Sequence, residues 1–398
     1  MLPQIQILPG YHKRFLNGFP WLYNNEIIQS NQTKSFEPGQ LVQVLHKNNP
    51  VATGYFNKHS LITFRALSWN SAEPIDTEFF SRRLQNALSI RETFYPTPFY
   101  RLIHAEADLL PGLIIDRFDS VFVVQINTQG MEKLQTCLLE ALKNVFNPTT
   151  IYIKKDAPVR QTEGLNILEP EVIGKAIHTL SIIENDTLFE VDISAGQKTG
   201  WFYDHRENRK ALSLLSKNKT VIDYFCYSGG FSIQAAKQGA KQVIGVDRSE
   251  SALQNARQSA ILNGVSPTCE FICEEVFHDM ENRINDKQVF DRVLLDPPAF
   301  VKSKKDLIVG LKGYEKLINK GIQLVANQGL LMIASCSYHV KSSDLKSCLA
   351  EALHKTQRTG RIVQSLSAGF DHPLHPSLEG SEYLKGFLVM VSNLDIGH

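Results

Sequence analysis

Two apolar segments of this chain each end at a reactive polar side chain. The run Val293–Leu295 leads into Asp296-Pro297-Pro298, and the run Leu331–Ala334 leads into Ser335-Cys336-Ser337. A buried parallel strand has such a continuous apolar sequence, and open α/β sheets bind ligands just beyond the carboxyl ends of their strands. The two runs therefore predict a carboxylate and a thiol in one pocket. A nucleophile beside an acid is suited to covalent chemistry on a ring.

The strands that would position Asp296 and Cys336 belong to a sheet domain. From about residue 181 onward, strand and helix patterns alternate, which is typical of an α/β fold with a doubly wound parallel sheet. Helices are expected at Ser232–Gln238 and Ser251–Leu262. We predict seven strands, at Thr220–Asp223, Gln242–Asp247, Cys269–Cys273, Asp291–Asp296, Gly329–Ser335, Arg361–Leu366 and Gly386–Ser392. The fourth and fifth strands are expected to be neighbours, which would place Asp296 near Cys336.

Two further blocks precede this sheet domain. Residues 1 to 75 contain strand-length runs separated by turn formers, a pattern that predicts a small β-barrel or sandwich. Residues 76 to 180 combine a helical stretch from Thr77 to Thr93 with strand patterns such as Val121–Ile126, which predicts a mixed α+β domain. We therefore expect three domains, with bounds at 1–75, 76–180 and 181–398.

The composition restricts the class of protein. The chain has 398 residues, of which 43% are hydrophobic and 21% charged, as in globular domains with a sizeable core. No apolar run approaches the roughly 18 residues that cross a membrane, and the N-terminus lacks the features of a signal peptide, so we expect a cytoplasmic protein. Six cysteines without a C-x-x-C spacing predict neither a disulfide framework nor a metal site.

A strand, turn and helix start in the sheet domain predict a nucleoside cofactor. Asp223, Phe225, Gly229 and Gly230 lie in this segment, where glycine permits close approach of a ligand to the backbone. Asp247 ends the next strand, where a ribose diol needs an acceptor. The chain has neither the full dinucleotide glycine spacing nor a phosphate-binding loop. S-adenosylmethionine is therefore the favoured cofactor.

Other cofactor contacts are expected near the same strand ends. Arg248 follows Asp247, Glu275 lies just past the third strand, and Asp296 ends the fourth. Glu274 competes with Glu275 for a place near the adenine. The simpler interpretation, that Asp223 and Asp247 only cap their strands, remains open.

Cys336 and Asp296 together suggest methylation of a pyrimidine carbon. Carbon 5 of a pyrimidine is not nucleophilic until a nucleophile has added at carbon 6, and a thiolate performs that addition well. Asp296 would hydrogen-bond or protonate ring N3 as charge develops. In many methyltransferases that act on exocyclic amines, an aromatic residue directly follows the two prolines, whereas Ala299 stands here and Phe300 comes one place later. Packing of a small thiol is the competing interpretation of Cys336.

Basic residues in two regions of the chain suggest a nucleic-acid surface. Residues 1 to 65 hold six Lys or Arg side chains against two Glu, a net charge of +4, and further lysines follow Asp296-Pro297-Pro298. A solvated charged face is an equally good interpretation, but phosphate contact would fit both regions. Aromatic side chains are candidates for stacking a base that has left its helix. The predicted RNA contacts are Lys13, Arg14, Trp21, Lys302, Lys304 and Tyr314.

Several longer strings resemble one methyltransferase family. The chain is similar to the RlmI type of class I methyltransferase, which makes 5-methylcytosine in large-subunit (23S) ribosomal RNA. The resemblance covers nearly the whole chain. Its motifs are Gly196–Phe202, Asp204–Arg209, Asp296–Phe300, Gly313-Tyr314 and Ser335-Cys336-Ser337, with Phe19–Tyr23, Pro38-Gly39, Gly54–Phe56 and Leu110–Arg117 toward the N-terminus.

The resemblance implies a three-domain enzyme. A PUA-like RNA-binding domain would be followed by a central mixed domain and a Rossmann-like catalytic domain that uses S-adenosylmethionine. By matching position, Gln197, Lys198, Thr199 and Asp204 would line the cofactor cleft. The second cysteine that many RNA cytosine-5 methyltransferases carry in the Asp-Pro-Pro loop is replaced here by Ala299. The group that removes the C5 proton is therefore not identified by the resemblance.

Three functions remain open from the sequence. The leading one is cytosine-5 methylation of large-subunit ribosomal RNA through Cys336, with ribosomal RNA as partner, no membrane, and self-association into a homodimer left open. The second is N-methylation of guanine or adenine, with Cys336 as a packing residue. The third is a non-catalytic RNA-binding factor in ribosome assembly.

Overall fold

The computed structural model describes residues 2–194, 199–378 and 381–394. Contacts divide the chain into two compact units. The first contains Met1–His178 with Gln197–Thr199 and Phe370–Ser381, and the second contains Thr179–Gly196, Gly200–Gly369 and Glu382–His398. Among the described residues, no helix is long and apolar enough to cross a membrane.

The first unit begins with a five-stranded sheet in the order β1-β3-β4-β5-β2. Strands β1 and β3 are parallel, and the other pairs are antiparallel. Apolar side chains of this sheet and its short helices, including Phe15, Leu22 and Phe64, form a buried cluster. The elements are β1 Gln4–Gln6, α1 His12–Leu16, β2 Trp21–Tyr23, α2 Asn31–Ser35, β3 Gln40–His46, β4 Asn49–Phe56 and β5 Ile62–Ser68.

A second five-stranded sheet follows in the same unit, in the order β10-β9-β8-β7-β6. Its core includes residues of the first sheet, because Tyr55 and Leu67 belong to the same buried cluster as α3 and α5. Two consecutive helices, α4 and α5, lie between β8 and β9. The elements are α3 Thr77–Phe94, β6 Phe99–His104, β7 Leu113–Phe118, β8 Val121–Ile126, α4 Gln129–Lys133, α5 Gln135–Phe146, β9 Thr150–Lys155, α6 Val159–Thr162 and β10 Leu168–Gly174.

Glu163 joins the two sheets of the first unit through buried polar contacts. Its carboxylate accepts hydrogen bonds from Asn57 Nδ2 at 3.0 Å and Ser60 Oγ at 2.6 Å. Arg65 Nη2 lies 2.8 Å from the same carboxylate. Removing one partner of a buried charge is strongly destabilising, so these contacts tie the two sheets together.

The second unit contains the predicted doubly wound sheet. Its seven strands have the order β15-β14-β13-β16-β17-β19-β18, and β11 and β12 form a separate hairpin. The elements are β11 Thr179–Glu184, β12 Thr187–Asp192, α7 Arg206–Leu214, β13 Thr220–Tyr224, α8 Gly230–Lys237, β14 Gln242–Asp247, α9 Glu250–Leu262, β15 Cys269–Cys273, α10 Val276–Asn285, β16 Phe290–Leu295, α11 Leu307–Leu324, β17 Val325–Ser335, α12 Ser342–Lys355, β18 Arg358–Ser367 and β19 Lys385–Asn393. The seven predicted strands are all present, with ends that differ by up to four residues.

The pairing of the strands explains their apolar sequences. Strands β13 to β17 are parallel to their neighbours, whereas β19 runs antiparallel to both β17 and β18. Leu294, Leu295 and Leu331 are fully buried, because helices cover both faces of the central strands. Polar residues consequently gather where these central strands end.

Candidate active site

Asp296 and Cys336 follow the ends of two paired strands. Strands β16 and β17 are parallel neighbours, and Leu295 is in register with Ile333. Asp296 comes directly after β16, and Cys336 directly after β17. The predicted adjacency of these two strand ends is therefore confirmed.

Three hydroxyl groups fix the backbone on either side of Cys336. Ser335 Oγ donates a hydrogen bond of 2.8 Å to Tyr314 Oη, which lies 3.0 Å from Ser337 Oγ. The backbone N–H of Ser337 donates to Ser335 Oγ at 3.3 Å. All three hydroxyl residues are buried, whereas Cys336 is partly exposed. Cys336 therefore lies between two buried serines whose hydroxyl groups share one partner, Tyr314.

Tyr314 does not fit the RNA contact predicted for it. Its ring is completely buried within the core between α11 and the sheet. Phe300 packs against it with the ring centroids 4.8 Å apart. Because the ring has no accessible face, Tyr314 positions the residues around Cys336 instead of stacking on a base.

Lys385 places a buried ammonium group near Cys336. It begins β19, pairs with Ser335 of β17, and is only 6% exposed. Its Nζ donates to the backbone oxygens of Ser337 at 3.0 Å and Val340 at 2.6 Å. Burial lowers the pKa of Lys385, and charge on Cys336 is one of the influences that oppose this effect. A thiolate at Cys336 would therefore be stabilised by this cation.

Asp296 is held by a histidine to which the sequence analysis gave no role. His205 Nε2 lies 3.3 Å from Asp296 Oδ1, and the imidazole is almost completely buried. His205 follows Asp204 in a 3-10 turn that leads into α7. Burial disfavours the imidazolium, but the carboxylates of Asp296 and Asp204 outweigh it and raise the pKa of His205.

Asp223 is a buried acceptor at the carboxyl end of β13. Its Oδ2 accepts from the backbone N–H and the hydroxyl of Ser232, at 3.1 and 2.6 Å. Its Oδ1 has no hydrogen-bond partner within the part of the chain that the structure describes. Burial raises the pKa of Asp223 to about 7. A ligand with a positively charged group would satisfy this oxygen.

Asp247 holds the turn that follows Asp223. Its Oδ2 accepts from Tyr227 N and its Oδ1 from Ser249 N, both at 2.9 Å. Each carboxylate oxygen has a second lone pair, so Asp247 can still accept hydroxyl groups. Phe225 and Gly229 lie in the same turn with positive φ angles of 62° and 77°. The left-handed conformation at Gly229, which precedes the first residue of α8, explains why glycine is needed there.

The remaining predicted cofactor residues have different surroundings. Arg248 is exposed, and Glu275 is an exposed cap of α10 whose Oε2 accepts from His278 N at 2.9 Å. Asp204 is buried and accepts from Tyr383 Oη at 2.6 Å. Gly230 begins α8, and Thr199 is buried. Gln197 and Lys198 lie outside the described residues.

Two of the three predicted RNA residues of the first unit, Arg14 and Trp21, contact carboxylates. Arg14 Nη2 contacts both carboxylate oxygens of Glu26, at 2.5 and 2.6 Å. Trp21 Nε1 donates to Glu106 at 3.0 Å. Lys13 is exposed on α1, where its charge is available to a polyanion.

Lys302 and Lys304 are exposed in the loop and short 3-10 turn that connect Asp296 to α11. They lie in the segment that leaves the end of β16. This segment therefore carries positive charge close in sequence to the carboxylate of the candidate site.

Comparison with known proteins identifies the family. A model described as S-adenosylmethionine-dependent methyltransferase matches residues 168–358, and a PUA-like domain model matches residues 5–69. A ribosomal RNA large subunit methyltransferase I from Klebsiella pneumoniae is 32% identical over 397 residues, covering 98% of this chain and 99% of that protein. This chain belongs to the ribosomal RNA large subunit methyltransferase I family. A relative of the same name from Tolumonas auensis is 34% identical and covers 95% of this chain and 96% of its own length.

Solved structures of methyltransferases have a similar fold. A methyltransferase complexed with SAH superposes with a TM-score of 0.82 at 20% identity, covering 98% of this chain and 100% of that one. A SAM-dependent methyltransferase from Streptococcus mutans gives 0.81 at the same identity, with the same coverage of both chains. The predicted PUA-like and Rossmann-like methyltransferase domains are thus confirmed.

S-adenosylmethionine is the cofactor of this protein. The orphaned Oδ1 of Asp223 fits a cationic cofactor, and the left-handed turn at Gly229 provides the close backbone approach that a nucleoside requires. Asp223, Asp247 and this turn are the residues that would hold it.

The sequence patterns did not predict a role for His205 or Lys385 in the candidate site. A signal for Lys385 was present, because it stands at the start of an apolar strand pattern in which a lysine is normally exposed. His205 carried no comparable signal, since its partner Asp296 is ninety-one positions away.

Proposed function

We propose that this protein methylates carbon 5 of a cytosine in large-subunit (23S) ribosomal RNA, with Cys336 as the nucleophile. The observation that carries the proposal is the partly exposed thiol at the end of β17, beside a buried ammonium and next to the strand that ends at Asp296. The names of the relatives support ribosomal RNA as the substrate.

The thiolate of Cys336 adds to carbon 6 of the cytosine and forms a carbon–sulfur bond. The electron pair of the 5,6 double bond then makes carbon 5 nucleophilic. S-adenosylmethionine would supply the electrophilic methyl group at that stage: its bond between sulfur and the methyl carbon would break as the bond to carbon 5 forms, and S-adenosylhomocysteine would leave. Loss of the C5 proton to a base re-forms the double bond and expels the thiolate of Cys336, which restores the enzyme.

Two charged groups assist these steps. The ammonium of Lys385 stabilises the thiolate of Cys336 before addition and after elimination. Asp296 hydrogen-bonds or protonates ring N3, whose basicity rises once carbon 6 becomes tetrahedral. A general acid in this position accelerates a reaction by about 10² to 10⁴-fold. Ala299 leaves the Asp-Pro-Pro loop without a second thiol, so water or another base takes the C5 proton.

RNA would be bound through its backbone. Lys302 and Lys304 supply charge near the candidate site, and Lys13 supplies charge on the PUA-like domain. The target cytosine would leave its stack to reach the thiol, at a cost of a few kcal/mol if it is paired. Phosphate contacts offset this cost.

The decisive experiment measures which methylated nucleoside the protein makes. The purified enzyme is incubated with S-adenosylmethionine and 23S ribosomal RNA from cells that lack the protein, and the digested nucleosides are analysed by mass spectrometry. We expect 5-methylcytidine from the native enzyme and none from Cys336→Ala. The matched control Cys137→Ala, on α5 of the first unit, should remain active.

Covalent trapping tests the nucleophile separately. RNA that contains 5-fluorocytidine should form a stable adduct with the native enzyme, because fluorine cannot leave as the proton does. An N-methylated purine as product, or full activity of Cys336→Ala, would overturn the proposal. Absence of any methylated nucleoside would instead favour the non-catalytic assembly factor.

A further inference from the structure

His205 lies between Asn208 and Asp296, with one ring nitrogen close to each. Asn208 Nδ2 donates to the backbone oxygen of Ser367 at 3.0 Å and lies 3.1 Å from His205 Nδ1. On the other side of the ring, His205 Nε2 lies 3.3 Å from Asp296 Oδ1. The imidazole also packs edge-on against Phe231, with the ring centroids 5.4 Å apart.

The contacts of Asn208 determine which nitrogen of His205 carries the proton. The oxygen of Ser367 can only accept, so the atom of Asn208 that faces it must be the amide nitrogen. The second hydrogen of that nitrogen then points at His205 Nδ1, which must accept. In the neutral imidazole the proton therefore resides on Nε2, where it faces Asp296.

We propose that His205 is a positioning residue that fixes the orientation and charge of Asp296 for the reaction. This inference rests on the proposed function, in which Asp296 meets ring N3 of the target base. Nε2–H binds Oδ1 of Asp296, and Oδ2 has no partner among the described residues, while the side chain is 27% exposed. His205 thus leaves Oδ2 as the oxygen that meets the base.

Protonation of His205 would disturb this arrangement. A proton on Nδ1 would face the N–H of Asn208, so that hydrogen bond would be lost. The charged groups that face the imidazole are Asp296 and Asp204, which favour its protonation, and Arg209 on α7, which opposes it. Since the pKa of His205 is raised above 6.5, the neutral form predominates only on the alkaline side of that higher value. Methyl transfer should decline as the pH falls through it.

Nuclear magnetic resonance tests the tautomer without any substrate. Long-range proton–nitrogen spectra of the nitrogen-15 histidine-labelled enzyme report the tautomer and pKa of each ring, and His205→Gln assigns the signals of His205. We expect the Nε2–H form at alkaline pH, with a pKa that falls in Asp296→Asn. An Nδ1–H tautomer, or a pKa unchanged by Asp296→Asn, would overturn the inference.

Kinetics separate positioning from a structural role. Glutamine at position 205 can donate to Asp296 and accept from Asn208 without titrating, so His205→Gln should keep most of the methyl transfer and lose the decline at acidic pH. His205→Ala should lose about 10²-fold, which is the typical cost of misplacing a catalytic group by 1 Å. The surface variant His354→Gln, on α12, should behave as the native enzyme does.

The readout for these kinetics is total transfer of labelled methyl groups to 23S ribosomal RNA. If the methylated nucleoside is not 5-methylcytidine, the proposed function fails, but the pH profiles still report on His205. If His205→Gln and the native enzyme have the same profile, or if alanine is as good as glutamine, His205 is not a positioning residue.

Discussion

Lys385 on β19 lies opposite Ser335 on β17 in the antiparallel pairing of these strands, which brings its ammonium group to the backbone that carries Cys336. The ammonium donates hydrogen bonds to two neutral backbone oxygens, those of Ser337 and Val340. A buried cation is stable only when it is well compensated. Negative charge on Glu382, Cys336 and Asp344 favours the ammonium form, so a thiolate at Cys336 would add to this compensation.

Replacing Lys385 should slow methyl transfer in a pH-dependent way. An opposite charge close to a titrating group shifts its pKa by about 1 to 3 units, so Lys385→Met should reduce the rate about 10- to 1,000-fold near neutral pH. The deficit should narrow as the pH rises toward 9, because the thiol then ionises without help. Lys210→Met, on an exposed position of α7, is the matched control. A deficit that is constant with pH would contradict this role of Lys385.

Removing the Tyr314 hydroxyl should loosen the turn around Cys336. Tyr314→Phe leaves the buried hydroxyls of Ser335 and Ser337 without their shared partner, which costs about 1 to 3 kcal/mol in the free energy of unfolding. We expect kcat for methyl transfer to fall while the Kd for S-adenosylmethionine stays unchanged. Denaturant unfolding and calorimetric titration measure the two effects. A change confined to the Kd would show that Tyr314 serves the cofactor instead.

Asp223 should make the ligand-free enzyme less stable as the pH rises. Its pKa is about 7 in the folded protein against 3.8 for an ordinary aspartate, so the folded state binds the proton more tightly than the unfolded state. Relative to Asp223→Asn, the native protein should therefore lose stability between about pH 4 and pH 7, and little more above pH 7. At about 1.4 kcal/mol per pKa unit, the loss approaches ~4 kcal/mol.

The cofactor should depend on the same carboxylate. Asp223→Asn should bind S-adenosylmethionine more weakly although it is the more stable protein at pH 8. Urea unfolding at pH 5 and pH 8, with calorimetric binding at pH 8, checks both statements. Ser232→Ala is a useful companion, since it removes a hydrogen bond to Oδ2 and leaves the charge in place.

The lysines that follow the Asp-Pro-Pro loop should govern the salt dependence of RNA binding. If Lys302 and Lys304 contact phosphates, each replacement by alanine should reduce the slope of log K against log salt by about 0.7 for single-stranded RNA. Fluorescence anisotropy across a salt series measures this slope. Lys143→Ala, on an exposed position of α5, should leave it unchanged. An unchanged slope in the double variant would place the RNA elsewhere.

The sequence predicted the sheet of the second unit well because its strands are buried on both faces. Continuous apolar runs such as those before Asp296 and Cys336 have few alternative structures, and their neighbouring position follows from the regular winding of an α/β sheet. Asp247 was likewise found at a strand end, where the pattern of the sheet expects a polar residue.

Other residues could not be placed from the sequence because their partners are distant along the chain. Tyr314 was predicted to contact RNA, yet its hydroxyl contacts the hydroxyl groups of Ser335 and Ser337 at the end of β17. Lys385 reaches the backbone that follows Cys336 only because β19 is inserted antiparallel beside β17. Such pairings depend on tertiary topology, which local patterns do not specify.

The late position of β19 has a consequence for the making of the protein. Lys385 is synthesised well after Cys336, so a nascent chain contains the thiol before it contains the cation beside it. Because chains begin to fold from the N-terminus during synthesis, the sheet as far as β17 can assemble while this strand is still missing. If Cys336 is the nucleophile, as we propose, its thiol lacks the neighbouring cation until the final strand pairs, and an unfinished chain therefore carries it in the less reactive thiol form.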